Sequence, residues 1–320
     1  SGRRKVLIGL SLDTLKEERW QHDRDAFVAA AQAQGADVLV QAANSDDTRQ
    51  VQDVEALISR GVRVLVIVPH NGAAMAKAVD LAHQAGVPVI AYDRLITGAD
   101  VDLYVTYDGY RIGQAQARFL LDRLKGRSPA RVVRIDGAKT DNNAHLLRDG
   151  QDDVLAPALK AGRVRIVHED WAEDWKPENA KRIMEAALTA HGSDVDAVLA
   201  ANDGTAGGAI QALLGEGLAG KVLVTGQDAE LAACQRIMAG TQAMTIYKPV
   251  AAEAGRAADA AVRMAQGRPV VATSTVDNGK VKVPSILLDT VTVTKDNMLA
   301  TVVKDGAQTR AAVLGAASSR

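Results

Sequence analysis

Short apolar runs rich in Val, Ile and Leu recur along the chain, each followed by an Ala-rich amphipathic stretch with turn residues between. The first five are VLIGLSL (Val6 to Leu12), VLVQAA (Val38 to Ala43), VLVIVP (Val64 to Pro69), VPVIAYD (Val87 to Asp93) and LYVTYD (Leu103 to Asp108). Five more follow: ARVVRIDG (Ala130 to Gly137), VRIVHED (Val164 to Asp170), VDAVLAAND (Val195 to Asp203), KVLVTGQD (Lys221 to Asp228) and AMTIYK (Ala243 to Lys248). Runs that are apolar on both faces and alternate with helical stretches predict α/β architecture, with parallel sheets covered by helices on both sides. The two sets have similar spacing, as expected of successive βαβ units, so one architecture is read twice.

A helix from Gly109 to Lys125 and the polar KGRSPA separate the sets. A helix from Ala251 to Gln266 follows the second set, and GRPVVATSTVDNGKVKVPSILLDTVTV then predicts extended segments and a final strand. These late elements need a place in one of the two halves, so the chain is expected to cross between them more than once. The tail AQTRAAVLGAASSR lacks periodicity and is expected to be loosely held.

Composition narrows the function. With 320 residues, 47% of them hydrophobic, each of two domains can have its own core. Lys and Arg total 38 against 39 Asp and Glu, with no block of like charge, so no nucleic-acid partner is expected. The single Cys234 cannot form an internal disulfide and reads as a small apolar residue on the inner face of a helix. There is no run of about 18 apolar residues to span a membrane, and SGRRKVLIGL enters the first strand almost at once, so any targeting segment is expected to have been removed or never to have existed.

Familiar catalytic patterns fail. GEGLAGKV (Gly215 to Val222) resembles a phosphate loop, but Val222 stands where Ser or Thr is needed, and its glycines end a helix instead of opening one. No G-x-G-x-x-G follows the first strand and no G-x-S-x-G occurs. His22, His70, His83, His145, His168 and His191 show no metal-ligand spacing. No cofactor, metal or enzymatic activity is expected.

In an open parallel sheet, ligands bind beyond the carboxyl ends of the strands. Those ends carry Asp93 and Arg94, then Asn142 and Asn143, Trp171 and Trp175, Asn202 and Asp203, Gln227 and Asp228, and Lys248, while Arg19 and Trp20 stand near the start of the first helix. Carboxylates and amides can pair with vicinal hydroxyls, Arg offers a rigid fork of donors, and Trp gives a flat apolar face. A neutral polyol with one apolar face satisfies the whole set. Each residue also has a structural alternative: an exposed Asp93–Arg94 pair, a helix cap at Asn202, Asp203 or Asp228, a core Trp20, a turn lysine at Lys248. Aromatics make up only 3% of the chain, yet its three Trp all sit at such ends.

These residues resemble a known family. ERWQHDRD, IAYDRLI, DNNA, WAEDWKPENA, NDGTAGGAIQAL, GQDAEL and GTQAMTIYKP together are similar to the type I, ribose-binding-like periplasmic sugar-binding proteins of ABC importers, and within them to the D-xylose-binding branch. The resemblance covers Lys5 to about Gly306. It implies two doubly wound parallel-sheet lobes joined by a three-strand hinge, with a pentose in the cleft and the lobes closing over it. The lobes would be residues 1–107 with 250–286 and residues 108–249 with 287–310, followed by a flexible tail, 311–320.

By motif, the resemblance assigns Arg19, Asp93 and Arg94 to the sugar from the first lobe. Asn142 or Asn143, Asn202 and Asp228 would hold it from the second, and Lys248 from the hinge, with Trp20 and Trp175 covering the ring. Ribose-binding relatives commonly carry an amide where Lys248 stands and Phe where the two Trp stand, which favours xylose over ribose; the implied ligand is D-xylose or a related aldopentose. Asp93 and Arg94 would offset each other's charge until sugar arrives. The implied partner is the membrane permease of an ABC transporter, for a monomer outside the cytoplasm that meets the membrane only through that permease. Alternatives are a sugar-sensing subunit docking on a sensor kinase or chemoreceptor, and a repressor core without its DNA-binding domain.

Overall fold

The computed structural model describes residues 5–315. In chain order it begins β1 (Val6–Leu12), α1 (Glu18–Ala33), β2 (Ala36–Ala42), α2 (Asp47–Ser59), β3 (Val64–Ile67), α3 (Ala76–Gln84), β4 (Val89–Tyr92) and β5 (Leu103–Tyr107). It continues α4 (Gly109–Arg123), β6 (Ala130–Asp136), α5 (Asn142–Lys160), β7 (Val164–Trp171), α6 (Pro177–His191), β8 (Ala197–Ala200), α7 (Asp203–Gly215), β9 (Leu223–Val224) and α8 (Leu231–Ala239). Last come β10 (Thr245–Tyr247), α9 (Val250–Ala265), β11 (Ser274–Asp277), β12 (Lys282–Leu288), β13 (Val291–Val293) and α10 (Arg310–Leu314). Among these helices none is long and apolar enough to cross a membrane.

The chain divides into two compact units. One runs to Tyr107 and includes Pro249–Asp289; the other comprises Asp108–Lys248 and the residues from Thr290 onward. The backbone therefore passes between units three times, at Tyr107/Asp108, Lys248/Pro249 and Asp289/Thr290.

The first unit is built on a sheet ordered β11-β12-β5-β4-β3-β1-β2. All its neighbours are parallel except the β11–β12 pair. Because alternate side chains leave a strand on opposite faces, β1, β3, β4 and β5 feed two cores. Ile8, Leu10, Val64, Val66, Ile90 and Val105 pack on one face with α1 and α9. Leu65, Ile67, Val89, Ala91 and Tyr104 pack on the other. Both faces are buried, which is why the sequence reads as continuous apolar runs.

In the second unit β7-β6-β8-β9 form a four-stranded parallel sheet. The run Lys221 to Asp228 yields only two strand residues, and the run Ala243 to Lys248 leaves the expected fifth place. Instead β10 pairs antiparallel with β13. A backbone turn causes the break: Asp228 and Ala229 take φ of 99° and 49°, which interrupts any regular ladder. Two bonds still tie β10 to this edge, Ala243 N–H to Val224 O at 3.0 Å and Asp228 N–H to Ile246 O at 2.7 Å.

The expectation of a loose tail needs correction where the chain is described. Arg310–Leu314 is helical, capped by the Thr309 side chain, and Val313 is buried beside Cys234, Ile237 and Met298. Its apolar spacing is too short to register as periodicity, so its order comes from packing on α8 rather than from propensity. The rest of the expected tail, residues 316–320, lies outside the described residues.

Candidate functional site

In the first unit, Arg19, Trp20, Asp93 and Arg94 come together. Arg19 stands on the first turn of α1, and Asp93 and Arg94 leave the end of β4. Asp93 adopts φ of 64°, and its carbonyl is pinned by Tyr104 Oη at 2.7 Å and Thr106 Oγ1 at 2.8 Å from β5. A left-handed Asp is uncommon, and here two hydroxyls hold it. Arg19 Nη2 donates to Asp93 Oδ1 at 2.6 Å and to Glu253 Oε2 at 3.0 Å, while its Nε donates to Asp23 Oδ2 at 3.0 Å. Arg94 Nη1 donates to Asp13 Oδ2 at 2.7 Å and to Pro69 O at 3.2 Å.

Arg19 thus serves Asp93, and Asp13 serves Arg94. Successive residues at a strand end point in different directions, so each finds its opposite charge on another element. Trp20 is 5% exposed and belongs to the core, with the Arg19 and Arg94 guanidinium carbons 4.4 and 5.0 Å from its ring centroid. Its ring therefore supports both arginines by cation–π contact.

Asp23 and Glu253, both buried, carry the network inward. Burial pushes the Asp23 carboxyl up against the pull of Arg19, and the Tyr92 hydroxyl donates to it. Burial also raises the Tyr92 phenol, helped by the negative charge of Asp23. The sequence reading missed Asp13, Asp23 and Glu253. Asp13 follows β1 directly, a strand end like the others; Asp23 and Glu253 lie on helix faces that also carry Phe27 and Ala257, both buried. Acids on a core-facing stripe were the available signal.

In the second unit, Lys248 Nζ lies 3.0 Å from Asp228 Oδ1, with the two side chains 10% and 15% exposed. Asp228 is not the N-cap of α8; that position is Glu230, whose side chain makes no capping bond. Asn202 does cap α7: its Oδ1 accepts from Thr205 N–H at 2.9 Å in a reciprocal capping box. Asn142 and Asn143 open α5 behind Asp141, whose Oδ1 accepts from Asn143 N–H at 2.9 Å.

Trp175 meets the same corner. Its indole N–H donates to Asp141 Oδ2 at 3.2 Å. The ring lies against Gly137 at the end of β6, where an added Cβ would stand 2.3 to 2.5 Å from three ring atoms. A Cβ added at Gly204 would be 3.7 Å from Asn202 Oδ1 and 3.8 Å from Trp175 O, which puts these two candidates beside one another. Among the described residues no group of three or more His, Cys, Asp or Glu is arranged to hold a metal ion.

The first unit thus gathers charged side chains at the carboxyl ends of its strands and the second charged and amide ones, each with a Trp. A model of the periplasmic binding protein domain matches residues 8–269. The chain is 47% identical over 303 residues to the D-xylose-binding periplasmic protein of Escherichia coli (strain K12), covering 95% of this chain and 91% of that one. It is 45% identical over 306 residues to the D-xylose-binding periplasmic protein of Haemophilus influenzae, covering 96% and 91%. A solved carbohydrate transporter solute binding protein from Chloroflexus aurantiacus, in complex with D-glucose, matches with TM-score 0.91 at 35% identity, covering 97% of this chain and 98% of that one. With its parallel α/β units and these relatives, the chain belongs to the periplasmic binding protein family.

Proposed function

We propose that this protein is a monomeric, extracytoplasmic monosaccharide-binding protein that takes D-xylose in preference to other sugars and delivers it to the permease of an ABC importer. The carrying observation is that each unit holds a nearly buried ion pair at its strand ends, Arg19–Asp93 in one and Lys248–Asp228 in the other. Such a pair presents acceptors and donors to adjacent hydroxyls from groups already fixed by the fold, so little ordering is left for binding to supply. Arg94, Asn202 and the Asn142–Asn143 pair would add further polar contacts, and Trp175 an apolar face. The two compact units would act as lobes. A sugar that hydrogen-bonds to residues of both favours the closed arrangement by its higher affinity for it, which is binding with hinge closure and needs no catalytic group.

The relatives named for D-xylose supply the preference, and the neighbour holding D-glucose supplies the competitor to test. The experiment is calorimetric titration of the purified protein with D-xylose, D-ribose, L-arabinose, D-glucose and D-galactose, backed by thermal midpoints. A ligand at about 100 times its Kd adds about 2.7 kcal/mol to the folded state. Tightest binding of D-xylose is expected; tightest binding of another sugar moves the substrate, and no binding of any overturns the proposal.

A further inference from the structure

Asp203 follows the capping residue Asn202 at the start of α7, yet it points inward and is 1% exposed. Its Oδ2 accepts from Glu230 N–H at 2.9 Å, and its Oδ1 from Thr245 Oγ1 at 2.9 Å and Gln242 Nε2 at 3.0 Å. Its own backbone N–H donates to Gln227 O at 3.0 Å. The residue therefore grips residues 227–230 at both ends. Between the two grips lie Asp228 and Ala229, whose positive φ values are rare for residues with a Cβ and persist only where the surroundings hold them.

Thr245 adds a third hold, since its Oγ1 accepts from Ala229 N–H at 3.2 Å while donating to Asp203. Gly226 completes the fit: a Cβ there would lie 2.2 Å from Asp203 Oδ1 and 2.5 Å from Gln242 Nε2, so the carboxyl rests on bare backbone. Burial pushes the Asp203 carboxyl up, with the charges of Glu230 and Asp228 adding to it, while the Glu230 N–H and Thr245 hydroxyl oppose the shift. The turn held in this way places Asp228 against Lys248.

Resting on the reading of Asp228 as a sugar contact, we infer that Asp203 is a positioning residue of the sugar site, acting through the strained turn that presents Asp228. It fixes where the Asp228 carboxylate stands without touching sugar itself. A cap or core acid with no link to the site would hold the fold alone and leave the geometry of Asp228 unchanged.

The test is a double-mutant cycle on D-xylose affinity with Asp203→Ala, Asp228→Ala and the double variant, each checked for native far-UV circular dichroism. Asp203→Ala is expected to weaken binding at least tenfold in the wild-type background and less than threefold when Asp228 is already Ala, because the turn then has nothing left to place. Losses that multiply in the double variant, or wild-type affinity in Asp203→Ala, overturn the inference. Should Asp203→Ala fail to fold, Thr245→Val removes the hydroxyl that bridges Asp203 and Ala229 and leaves the Asp203 holds on Gln227 and Glu230 in place. It is expected to show the same pattern at smaller amplitude, and an equal loss in both backgrounds overturns the inference. Wild-type affinity in Asp228→Ala itself instead removes the underlying reading of Asp228, and the two failures are thereby told apart.

Discussion

Arg19 donates to Asp93 across 2.6 Å although 74 positions separate them in the chain. The same nitrogen serves Glu253, and the guanidinium's Nε serves Asp23. One cation therefore answers three buried carboxylates, from α1, from the end of β4 and from α9. Such a group does two things at once: it keeps Asp93 aimed beyond the sheet, and it makes the charges of the first unit tolerable in the apolar interior.

Removing that cation should be costly. Arg19→Met leaves three buried acids without it, and truncating one side of a buried pair typically costs about 3–5 kcal/mol. A urea titration is expected to show a lower unfolding midpoint together with lost D-xylose binding. Arg19→Lys should rescue little, since a point charge cannot reach three carboxylates as a planar fork does. A midpoint within error of wild type for Arg19→Met would mean that the acids are compensated by other groups.

Stability should also depend on pH through a second cluster. Asp136, at the end of β6, is pushed up to about 8 by burial and by its hydrogen bond with Glu169. Glu169 goes down to about 2: burial opposes this, but hydrogen bonds from Arg148, Asp136 and Arg134 prevail. Between its ordinary value of 3.8 and about 8, folded Asp136 keeps a proton that the unfolded chain releases, so stability falls as pH rises across that window. Glu169 acts oppositely, its contribution being present above 4.5 and lost as pH falls toward 2. Asp136→Asn preserves a donor for Glu169 without the titration. Thermal midpoints from pH 5 to pH 8 are expected to decline less steeply in Asp136→Asn than in wild type, and parallel slopes would assign the dependence elsewhere.

Much of this molecule is legible in its sequence for one physical reason. Strands buried on both faces write themselves as apolar runs, and the polar residues that end them stand out by contrast. Asp93, Arg94, Asn202, Asp228 and Lys248 are visible in that way. What the one-dimensional pattern lacks is pairing. Glu253, 234 positions from Arg19, shares a helix face with Ala257, which can mark it as inward-facing, but only the tertiary contact shows its partner. The departure of β10 from the expected sheet was hidden too, because Asp228 and Ala229 carry no glycine to announce a left-handed turn.

The Lys248–Asp228 pair offers a test of specificity as well as affinity. Lys248→Met strands the Asp228 carboxylate without the ammonium at 3.0 Å. Losing one partner of such a charge pair is expected to cost about 2–5 kcal/mol of binding free energy for D-xylose. Lys248→Gln restores a donor but not the charge and should recover part of that loss while narrowing the preference for D-xylose over D-ribose. Titration of both sugars into both variants decides it, and an unchanged preference in Lys248→Gln would locate the discrimination at other residues.

The position of Trp175 can be tested without touching the Trp. Its ring rests on Gly137, so close that the methyl group of Gly137→Ala would have to displace it. The ring cannot slide freely, because its N–H is bonded to Asp141 and its backbone, with that of Asp174, is held at positive φ, 60° and 54°. Gly137→Ala should therefore tilt the apolar face away from its place while leaving β6 and the core of the second unit intact. A loss of about tenfold in D-xylose affinity, equivalent to about 1.4 kcal/mol, is expected by calorimetry. Trp175→Phe keeps a smaller aromatic face while giving up the N–H bond to Asp141 and part of the indole's area over Gly137, and should lose less than Gly137→Ala. Equal and wild-type affinities in both variants would show that the sugar is covered by something other than Trp175, and would leave the indole as a packing element of the β6 strand end.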